Sequence, residues 1–374
     1  MDLTELRGQI DEIDSSIVDL YEKRMDISRQ VAEYKIENGK QVFDKAREEE
    51  KIRKVKSLTH NDFNSHGIEE LFEQIMSMSR KLQYQLLSER GSLNKLPFIQ
   101  VDRLETEKAR VVFQGAEGAY SQAAMHQYFG DRIDSFHVDT FRDAMIAIDE
   151  GSADYAVLPI ENSTAGIVSE IYDLLVEFEN YIVGEQIIKI EHCLMALPGT
   201  KLSDIKTVYS HPQSLMQSAR YLNTHPWQQI SMQNNAFAAR KVAEEKDRTQ
   251  AAIASEYAAK LYGLEILEKG VNQSSTNSTR FIIVTNQKIF LKNAKKVSIC
   301  FEVAHESGSL YHMLSHFIYN NLNMNRIESR PIEDRNWEYR FFIDFDGNLS
   351  DSAVKNALRG LRDEARNMKI LGNY

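Results

Sequence analysis

The chain is poor in cysteine and proline. Its 374 residues include 2 cysteines, Cys193 and Cys300, and 6 prolines. Two cysteines cannot form the disulfide framework that holds small secreted domains together, so the simplest expectation is a reduced, cytoplasmic protein. The low proline content and the 17 glycines exclude a fibrous or mainly disordered chain.

Long hydrophobic runs are also missing. The longest, such as YAVLPI and FIIV, are far short of the roughly 20 apolar residues that a membrane helix needs. The N-terminus MDLTELRGQI is acidic and mixed, which is not typical of a signal peptide. A net charge of -10 disfavours a broad nucleic-acid surface. We therefore expect neither a membrane nor a nucleic acid among its partners.

Several catalytic and cofactor motifs are absent. The sequence contains no Walker loop and no G-x-G-x-x-G motif, which argues against a nicotinamide-dependent dehydrogenase. The histidines show no metal-ligand spacing; His312 and His316 are one helical turn apart but lack a third ligand. We therefore expect no metal and no other cofactor.

The remaining composition is that of a multidomain globular protein. The chain is 42% hydrophobic and 27% charged, which supports buried cores. Changes in pattern divide it into a helical segment over residues 1–90, a linker over 91–109, alternating strands and helices over 110–286, and a different pattern over 296–374.

The N-terminal segment reads as three helices. Apolar residues recur at spacings of four and three from Leu6 to Tyr34, which is typical of a coiled-coil seam. A helix over residues 3–37 would be roughly 50 Å long, more than one small domain can cover. The seam therefore predicts packing against a second copy, as a homodimer. Asp44 is expected to cap a second helix, and a third is expected over residues 67–88.

Polar residues interrupt the inward faces of these helices. Arg24 lies within the apolar seam, and Lys35 follows on nearly the same face. Ser79 and Gln83 are one turn apart on the third helix. Taken singly, each fits a bundle with solvated ends, or an arginine that fixes register. Together, two cations and two neutral donors indicate a closed anion site.

The segment resembles the all-helical chorismate mutases, through LRGQIDEID, LYEKR, VFDKAREEE and SMSRKLQYQL. The resemblance implies an all-α domain that rearranges chorismate to prephenate without a cofactor. It also implies substrate contacts from Arg7, Arg24, Lys35, Asp44, Arg47, Glu48, Ser79 and Gln83.

Roles within this set follow from the chemistry. Lys35 and Gln83 are assigned as catalytic donors to the ether oxygen, and Glu48 would meet the ring hydroxyl. Arg7 and Arg24 are seventeen residues apart, roughly 25 Å along a continuous helix, so both can hardly grip one small ligand. If Arg7 is functional, we expect it to serve the site of a partner chain.

In the middle segment, polar turns follow apolar strands. VVFQG leads to GAEGAYS, which contains Ser121 at a helix start, and YAVLPI leads to ENSTAG. TVYSHPQS places Ser210 before Pro212, a helix-start signal, and QSSTNSTR precedes the strand FIIV. α/β sheets usually bind ligands at such strand ends.

This segment resembles the prephenate dehydratases over about residues 110–285, through GAEGAYS, PIENSTAG, SHPQSL, YGL and NSTRF. The resemblance implies two α/β lobes with the substrate between them, as in periplasmic solute-binding proteins. Thr279 inherits the catalytic role. The other implied site residues are Ser121, Glu161, Asn162, Ser163, Ser210, Gln213 and Arg280.

Two features of this segment leave alternatives open. Glu161 is an alternative acid if burial favours its protonated form, and otherwise a helix-capping or hinge residue. Asn234 and Asn235 occupy the place of a Ser-Thr pair found in many members.

The last segment predicts the order β-α-β-β-α-β, a ferredoxin-like α+β fold. With GSLYHML and ESRP it resembles the ACT regulatory domains that bind phenylalanine, often between subunits. Ser309 stands where alanine is commoner. The implied effector contacts are Gly308, Ser309, Leu310, Glu328, Ser329, Arg330 and Pro331.

Two functional hypotheses follow. The first is a bifunctional enzyme of phenylalanine biosynthesis that converts chorismate to prephenate and then to phenylpyruvate, with phenylalanine as inhibitor. The alternative is a non-catalytic sensor of small acids or amino acids, dimerised by its N-terminal helices. Lys35, Gln83 and Thr279 favour catalysis, because a bundle that only dimerises should prefer apolar seam residues.

Overall fold

A computed structural model describes residues 2–89, 96–306, 308–333 and 335–374. Residues 91–95 of the predicted linker lie outside the described residues. The helices are α1 Leu3–Glu37, α2 Lys45–Lys56, α3 Asp62–Glu89, α4 Tyr120–Phe129, α5 Phe141–Asp149, α6 Ser169–Glu177, α7 Pro212–Gln217, α8 Ala219–Leu222, α9 Asn235–Glu245, α10 Glu256–Tyr262, α11 Ser309–Tyr319 and α12 Ser352–Glu364.

The strands are β1 Ile99–Val101, β2 Arg110–Gln114, β3 Asp134–Val138, β4 Tyr155–Asn162, β5 Gly166–Ile167, β6 Tyr181–Lys189, β7 Cys193–Ala196, β8 Thr207–Ser210, β9 Gln228–Ser231, β10 Gln250–Ala254, β11 Glu265–Lys269, β12 Ser278–Thr285, β13 Ile289–Leu291, β14 Lys296–Glu302, β15 Met324–Ile332, β16 Arg335–Asp346 and β17 Asn367–Asn373. Within the described ranges, no helix is both long and apolar enough to cross a bilayer.

The chain forms two compact units. The first unit comprises Met1–Pro97 and Ile299–Lys369, and the second comprises Phe98–Ser298 and Ile370–Tyr374. The N-terminal helices therefore share a unit with most of the C-terminal segment, although more than two hundred residues separate them in sequence.

The three N-terminal helices begin where capping residues satisfy their first amides. The Asp2 side chain accepts from the amides of Thr4 and Glu5 at the start of α1. Asp44 caps α2, as predicted, by accepting from the Arg47 amide over 3.1 Å. Helix α3 starts five residues before the expected Gly67, because the Asn61 side chain accepts from the Asn64 amide one turn earlier.

The apolar seam of α1 is exposed over most of its length. Ser28 and Ala32 are the buried residues of this helix. Seam residues along its first half, Leu6, Ile10, Ile13 and Ile17, are 42 to 59% exposed. A row of exposed aliphatic side chains of this length is typical of a protein–protein interaction surface.

The C-terminal part of the first unit has the element order β14-α11-β15-β16-α12-β17, which is the predicted β-α-β-β-α-β. Its strands lie side by side in the order β15-β16-β14-β17. Phe317 of α11 packs edge-on against Phe345 of β16 in the core. Helix α12 buries Val354, Leu358 and Leu361 on one face, at helical spacing.

The second unit contains two large sheets and a small parallel sheet made of β1 and β13. The first large sheet has the strand order β6-β12-β4-β2-β3, with β2, β3 and β4 parallel and β12 antiparallel to both neighbours. The second has the order β11-β7-β10-β8-β9, with β8, β9 and β10 parallel. The chain passes between them after β6 and after β11, which makes two α/β lobes.

The parallel order gathers the polar turns at one edge of the first lobe. Strands β2 and β4 end at this edge, and β12, which runs the other way, begins there. Asn162 at the end of β4 therefore pairs directly with Thr279 near the start of β12.

The lobes approach closely at Gly118, where φ is +90° and an added Cβ would lie 3.3 Å from the Ala258 backbone.

Candidate active sites

A cavity of about 290 Å³ lies among α1, α2 and α3. Seven of the eight side chains predicted to bind chorismate line it: Arg24, Lys35, Asp44, Arg47, Glu48, Ser79 and Gln83. The eighth, Arg7, is exposed near the start of α1 and is not among the lining residues. The cavity is thus lined with cations, carboxylates and neutral donors.

Arg24 is held in the cavity wall by helix α3. Its guanidinium donates to Ser79 Oγ over 2.5 Å, and Ser28 Oγ lies 3.2 Å from the same oxygen. Burial lowers the pKa of Arg24, and the nearby Tyr21 and Glu48 oppose that shift. The arginine is therefore a partly desolvated cation with a fixed orientation, which suits a carboxylate ligand.

Lys35 lies in the last turn of α1 and lines the cavity. Its ammonium donates to the Val42 carbonyl over 2.6 Å. Burial lowers the pKa of Lys35, and the charges of Asp44 and Glu48 act in the opposite direction. Because burial penalises an ammonium, a ligand anion beside it would gain more than it would in water.

Gln83 is buried on the α3 side of the cavity. Its Oε1 atom has no hydrogen-bond partner among the described residues. A buried amide with an unmet hydrogen bond costs stability unless a ligand or water completes it. Gln83 is therefore a candidate for direct contact with a bound polar group.

The dehydratase candidates Thr279, Asn162 and Ser163 lie together at the strand-end edge of the first lobe. Asn162 Nδ2 donates to Thr279 Oγ1 over 2.9 Å and to Asn277 Oδ1 over 2.8 Å. Ser163 Oγ accepts from the Ser278 amide over 3.0 Å. These bonds fix the start of β12 and leave the Thr279 hydroxyl as an oriented, mostly buried group.

Arg280 and Glu161 lie on the other face of the same sheet. Successive residues of a strand point to opposite faces, so Arg280 points away from the Thr279 side. Its guanidinium lies 3.4 Å from Glu161 and 3.4 Å from Glu185, and Lys296 contacts Glu185 at 2.7 Å. The structure thus groups Arg280 and Glu161 with each other and separates them from Thr279.

Ser121, Ser210 and Gln213 occupy the other strand-end turns. Ser121 Oγ donates to the Gln114 carbonyl over 2.6 Å at the end of β2. Ser210 Oγ lies 2.7 Å from the Ile253 carbonyl oxygen and 2.9 Å from Asn235 Oδ1, and its one proton is shared between these two acceptors. Gln213 lies in the first turn of α7, which begins at Pro212 as predicted.

Asn234 and Asn235 have structural partners at the start of α9. Asn234 caps the helix by accepting from the Phe237 amide over 2.8 Å. Asn235 accepts from Ser210 Oγ and from the His211 amide, which ties α9 to the turn after β8. The pair therefore stabilises the strand-end turn of the second lobe.

The residues of the predicted effector site lie in two segments of the first unit. Gly308 precedes α11 with a φ of +79°, and Ser309 and Leu310 form the first turn of that helix. Glu328, Ser329, Arg330 and Pro331 lie in the second half of β15, where they pair with β16. No group of three or more potential metal ligands occurs in the described part of the chain.

Comparison with known proteins identifies the family. Residues 6–84 match the family model for chorismate mutase type II, and residues 111–289 match that for prephenate dehydratase. A bifunctional chorismate mutase/prephenate dehydratase of Escherichia coli K12 is 33% identical over 100% of this chain and 96% of its own length. The chain belongs to the bifunctional chorismate mutase/prephenate dehydratase family.

Two solved structures resemble this chain over 71% of its length, and one of them is a prephenate dehydratase. The prephenate dehydratase of Arthrobacter aurescens, in complex with L-Phe, is 29% identical, with a TM-score of 0.66 over 71% of this chain and 89% of its own. A protein described as a novel type of quorum-quenching acylase is 32% identical, also with a TM-score of 0.66, over 71% of this chain and 97% of its own.

As a member of this family, the chain converts chorismate to prephenate and prephenate to phenylpyruvate. The predicted all-helical mutase domain and α/β dehydratase domain are confirmed. The sensor alternative is not favoured, because the relatives that match the full length are enzymes with both activities.

Sequence reasoning missed several polar residues of this bifunctional enzyme. Arg80 and Lys51 also line the cavity among α1, α2 and α3. Each lies at helical spacing from predicted residues, and this spacing could have revealed them. Gln217, Asn277 and His192 join the two lobes through side-chain hydrogen bonds. They belong to segments far apart in sequence, so only the fold could reveal that they meet.

Proposed function

We propose that the mutase reaction takes place in the cavity among α1, α2 and α3, and the dehydratase reaction at the strand ends around Thr279. The proposed domain limits are 1–90 for the mutase, 91–109 for the linker, 110–286 for the dehydratase and 296–374 for a regulatory domain. The observation that carries the mutase assignment is the single cavity that seven of the eight predicted residues line.

The mutase needs to hold one conformer of a dianion. The rearrangement of chorismate is unimolecular, so positioning supplies much of the catalysis and no covalent intermediate is required. Arg24 and Arg47 bind the two carboxylates, since guanidinium groups suit bidentate contacts. The hydrogen bond from Arg24 to Ser79 supports carboxylate binding by Arg24, because a side chain that is already fixed loses little entropy when the substrate binds.

Negative charge develops on the ether oxygen as its bond to the ring breaks. Lys35 and Gln83 donate to this oxygen, and such donors act most strongly where water is excluded. When the side-chain amide of Gln83 is turned by 180°, its Nε2 donor takes the place of the unpartnered Oε1 atom. Glu48 accepts from the ring hydroxyl of the substrate.

The enzyme acts as a homodimer whose mutase sites are shared. The exposed seam of α1 supports packing against a second copy. Arg7 lies outside its own chain's cavity and near the far end of the helix. In a dimer with antiparallel α1 helices, Arg7 of one chain reaches the cavity of the other.

The dehydratase expels carbon dioxide and the ring hydroxyl from prephenate, and the product ring becomes aromatic. Thr279 donates a hydrogen bond to the departing oxygen, and water or a neighbouring group completes the proton transfer. Asn162 supports this role, because it donates to Thr279 Oγ1 and so directs the threonine proton elsewhere. Glu161 contacts Arg280 on the opposite face of the sheet, which favours Thr279 over Glu161.

Residues 296–374 form a ferredoxin-like ACT domain that binds phenylalanine as a feedback inhibitor. The β-α-β-β-α-β order supports this fold, and the dehydratase of Arthrobacter aurescens that this chain resembles binds L-Phe. Both cysteines are buried and free, which supports a reducing, cytoplasmic compartment.

One assay tests both site assignments. The purified protein is incubated with chorismate or prephenate without added cofactor, and prephenate and phenylpyruvate are quantified. Lys35→Ala should produce nothing from chorismate but still convert prephenate, whereas Thr279→Ala should accumulate prephenate from chorismate. If either substitution abolished both activities in a folded protein, the two sites would not be separate.

A further inference from the structure

Arg80 lies on α3 between two carboxylates that come from opposite ends of the sequence. Its Nη1 atom binds Glu48 of α2, which lines the mutase cavity. Its Nη2 atom donates to Glu364 Oε1 of α12 over 2.8 Å. The three side chains are 11, 24 and 15% exposed respectively, so both ion pairs are largely shielded from water.

We propose that Arg80 and Glu364 are positioning residues of the mutase: Glu364 holds the Arg80 guanidinium, and Arg80 holds the Glu48 carboxylate toward the substrate cavity. The proposal rests on the proposed placement of chorismate in that cavity. The mutase then depends on Glu364, a residue of the C-terminal segment 284 positions beyond Arg80.

The charge of the substrate explains why Glu48 needs a fixed cation. Chorismate is a dianion, and a carboxylate beside it is repelled unless a positive charge compensates. An arginine forms directional, forked hydrogen bonds, so it fixes the plane of a carboxylate as well as its charge. The Phe43 ring, 5.1 Å from the Arg80 guanidinium, restricts that group further.

Glu364 is itself held in an ionised state. Burial acts to raise its pKa, but His316 and Arg80 outweigh that effect and lower the pKa below its usual value. His316 Nε2 lies 3.1 Å from the same Oε1 atom that accepts from Arg80. Removing Glu364 takes away the carboxylate that holds Arg80 Nη2, so the guanidinium should be freer to move although Nη1 still binds Glu48.

The test measures mutase kinetics in the full-length protein with three substitutions. Arg80→Gln should lower kcat/KM for chorismate by about 10- to 100-fold, which is the effect expected when one hydrogen bond to a charged group is lost. The loss should arise mainly from a higher KM. Arg80→Lys should recover part of this loss, since it keeps the charge without the fork. Glu364→Gln should lower kcat/KM by a smaller factor.

The decisive readout is the double variant. If Glu364 acts through Arg80, Glu364→Gln should have no further effect on kcat/KM in the Arg80→Gln background. Additive losses would show two independent structural effects and would overturn the proposal.

Asp363→Asn is the matched control. Asp363 is adjacent to Glu364 on α12 and accepts from the Tyr84 hydroxyl of α3, so it joins the same two helices without contacting Glu48. It should leave mutase kinetics unchanged; a loss equal to that of Glu364→Gln would indicate helix docking and overturn the proposal. Dehydratase activity on prephenate should stay unchanged in every variant.

Glu48→Ala separates this inference from the site assignment, because it removes the acceptor for the ring hydroxyl. If Glu48→Ala has normal mutase kinetics, the placement of chorismate against Glu48 is wrong. If Glu48→Ala is impaired while Arg80→Gln and Glu364→Gln are normal, the site stands and the positioning role is wrong.

Discussion

Asn162 donates from its Nδ2 atom to Thr279 Oγ1 over 2.9 Å, across the paired strands β4 and β12. The same amide nitrogen lies 2.8 Å from Asn277 Oδ1 and 3.1 Å from the Ser278 carbonyl, so its orientation is fixed. Because the threonine oxygen accepts this bond, its own proton remains to be donated to another group. The arrangement turns a weakly acidic hydroxyl into a directed donor.

Thr279→Val should therefore lower the dehydratase kcat by about 10²- to 10³-fold, the usual cost of deleting one transition-state donor. Thr279→Ser keeps the hydroxyl and should retain much more activity. Steady-state rates with prephenate measure both variants, and the mutase rate of the same samples reports folding. A fully active Thr279→Val enzyme would eliminate this hydroxyl as the donor.

Gln217 joins the two lobes of the dehydratase. Its Nε2 atom donates to Thr164 Oγ1 over 2.7 Å, and its Oε1 atom accepts from Asn277 over 3.1 Å and lies 3.0 Å from His192 Nε2. Burial lowers the pKa of His192, so the neutral ring can take part in this network at neutral pH.

Gln217→Leu removes all of these bonds at similar side-chain volume. We expect kcat/KM for prephenate to fall by about tenfold or more, because the lobes no longer hold the cleft in one arrangement. Met216→Ala, at an exposed position on the same helix, is the control and should behave as wild type. If the two variants had equal kinetics, the hydrogen bonds of Gln217 between the lobes would have no role in catalysis.

The sequence predicted local features well and long-range contacts poorly. The Asp44 cap and the inward positions of Lys35 and Ser79 follow from helical periodicity, which acts over a few residues. The contact between Arg80 and Glu364 joins positions 284 residues apart, and no local pattern encodes it. Tertiary packing decides such pairs, so they need the folded chain.

The separation of Thr279 from Arg280 was predictable in principle. Adjacent residues of a strand point to opposite faces, so a motif that contains both cannot direct both side chains into one cleft. A family resemblance assigns a function to a motif as a whole. The alternation of side chains along a strand shows which residues of that motif can face the same side. In the structure, Arg280 pairs with Glu161 and Glu185 instead.

The mutase should lose activity as the pH rises. In the proposed mechanism the positive charge of Lys35 stabilises the negative charge that develops on the ether oxygen, and burial lowers the pKa of Lys35 below the 10.5 of an ordinary lysine. The charged form is therefore lost earlier in an alkaline titration than for an exposed lysine. The alkaline limb of kcat/KM for chorismate should have its midpoint below 10.5.

Lys35→Arg supplies the comparison for this limb. An arginine stays charged throughout, so any activity that remains should persist to higher pH, although its planar group fits the site less well. The check is kcat/KM against pH for both proteins. An unchanged alkaline limb in an active Lys35→Arg enzyme would assign the titration to another group.

Mixed dimers test whether the mutase site is shared between chains. Arg7→Ala and Lys35→Ala proteins should each be nearly inactive alone. After the two are refolded together, half of the dimers should be mixed and each should contain one intact site, which restores about a quarter of wild-type activity. No recovery despite demonstrated mixed dimers would mean that Arg7 does not complete a partner's site.

Phenylalanine should inhibit the dehydratase from a separate site. It resembles neither substrate closely enough to compete well, so its effect requires a shift between conformations. The first amides of α11, after Gly308, can meet its carboxylate. Its remaining contacts are expected from the segment of β15 that contains Glu328 and Pro331.

Ser309→Trp should fill this site and leave a dehydratase that works but ignores phenylalanine. Truncation after residue 286 should have the same effect, but the second unit includes residues up to Ser298 and the chain end Ile370–Tyr374, so the point substitution disturbs less of it. Ser309→Ala is the matched control and should stay sensitive, because alanine is the commoner residue there. The measurement is dehydratase rate against phenylalanine concentration. An unchanged inhibition midpoint in Ser309→Trp would place the effector elsewhere, since a tryptophan in the first turn of α11 leaves no room for a second aromatic ring.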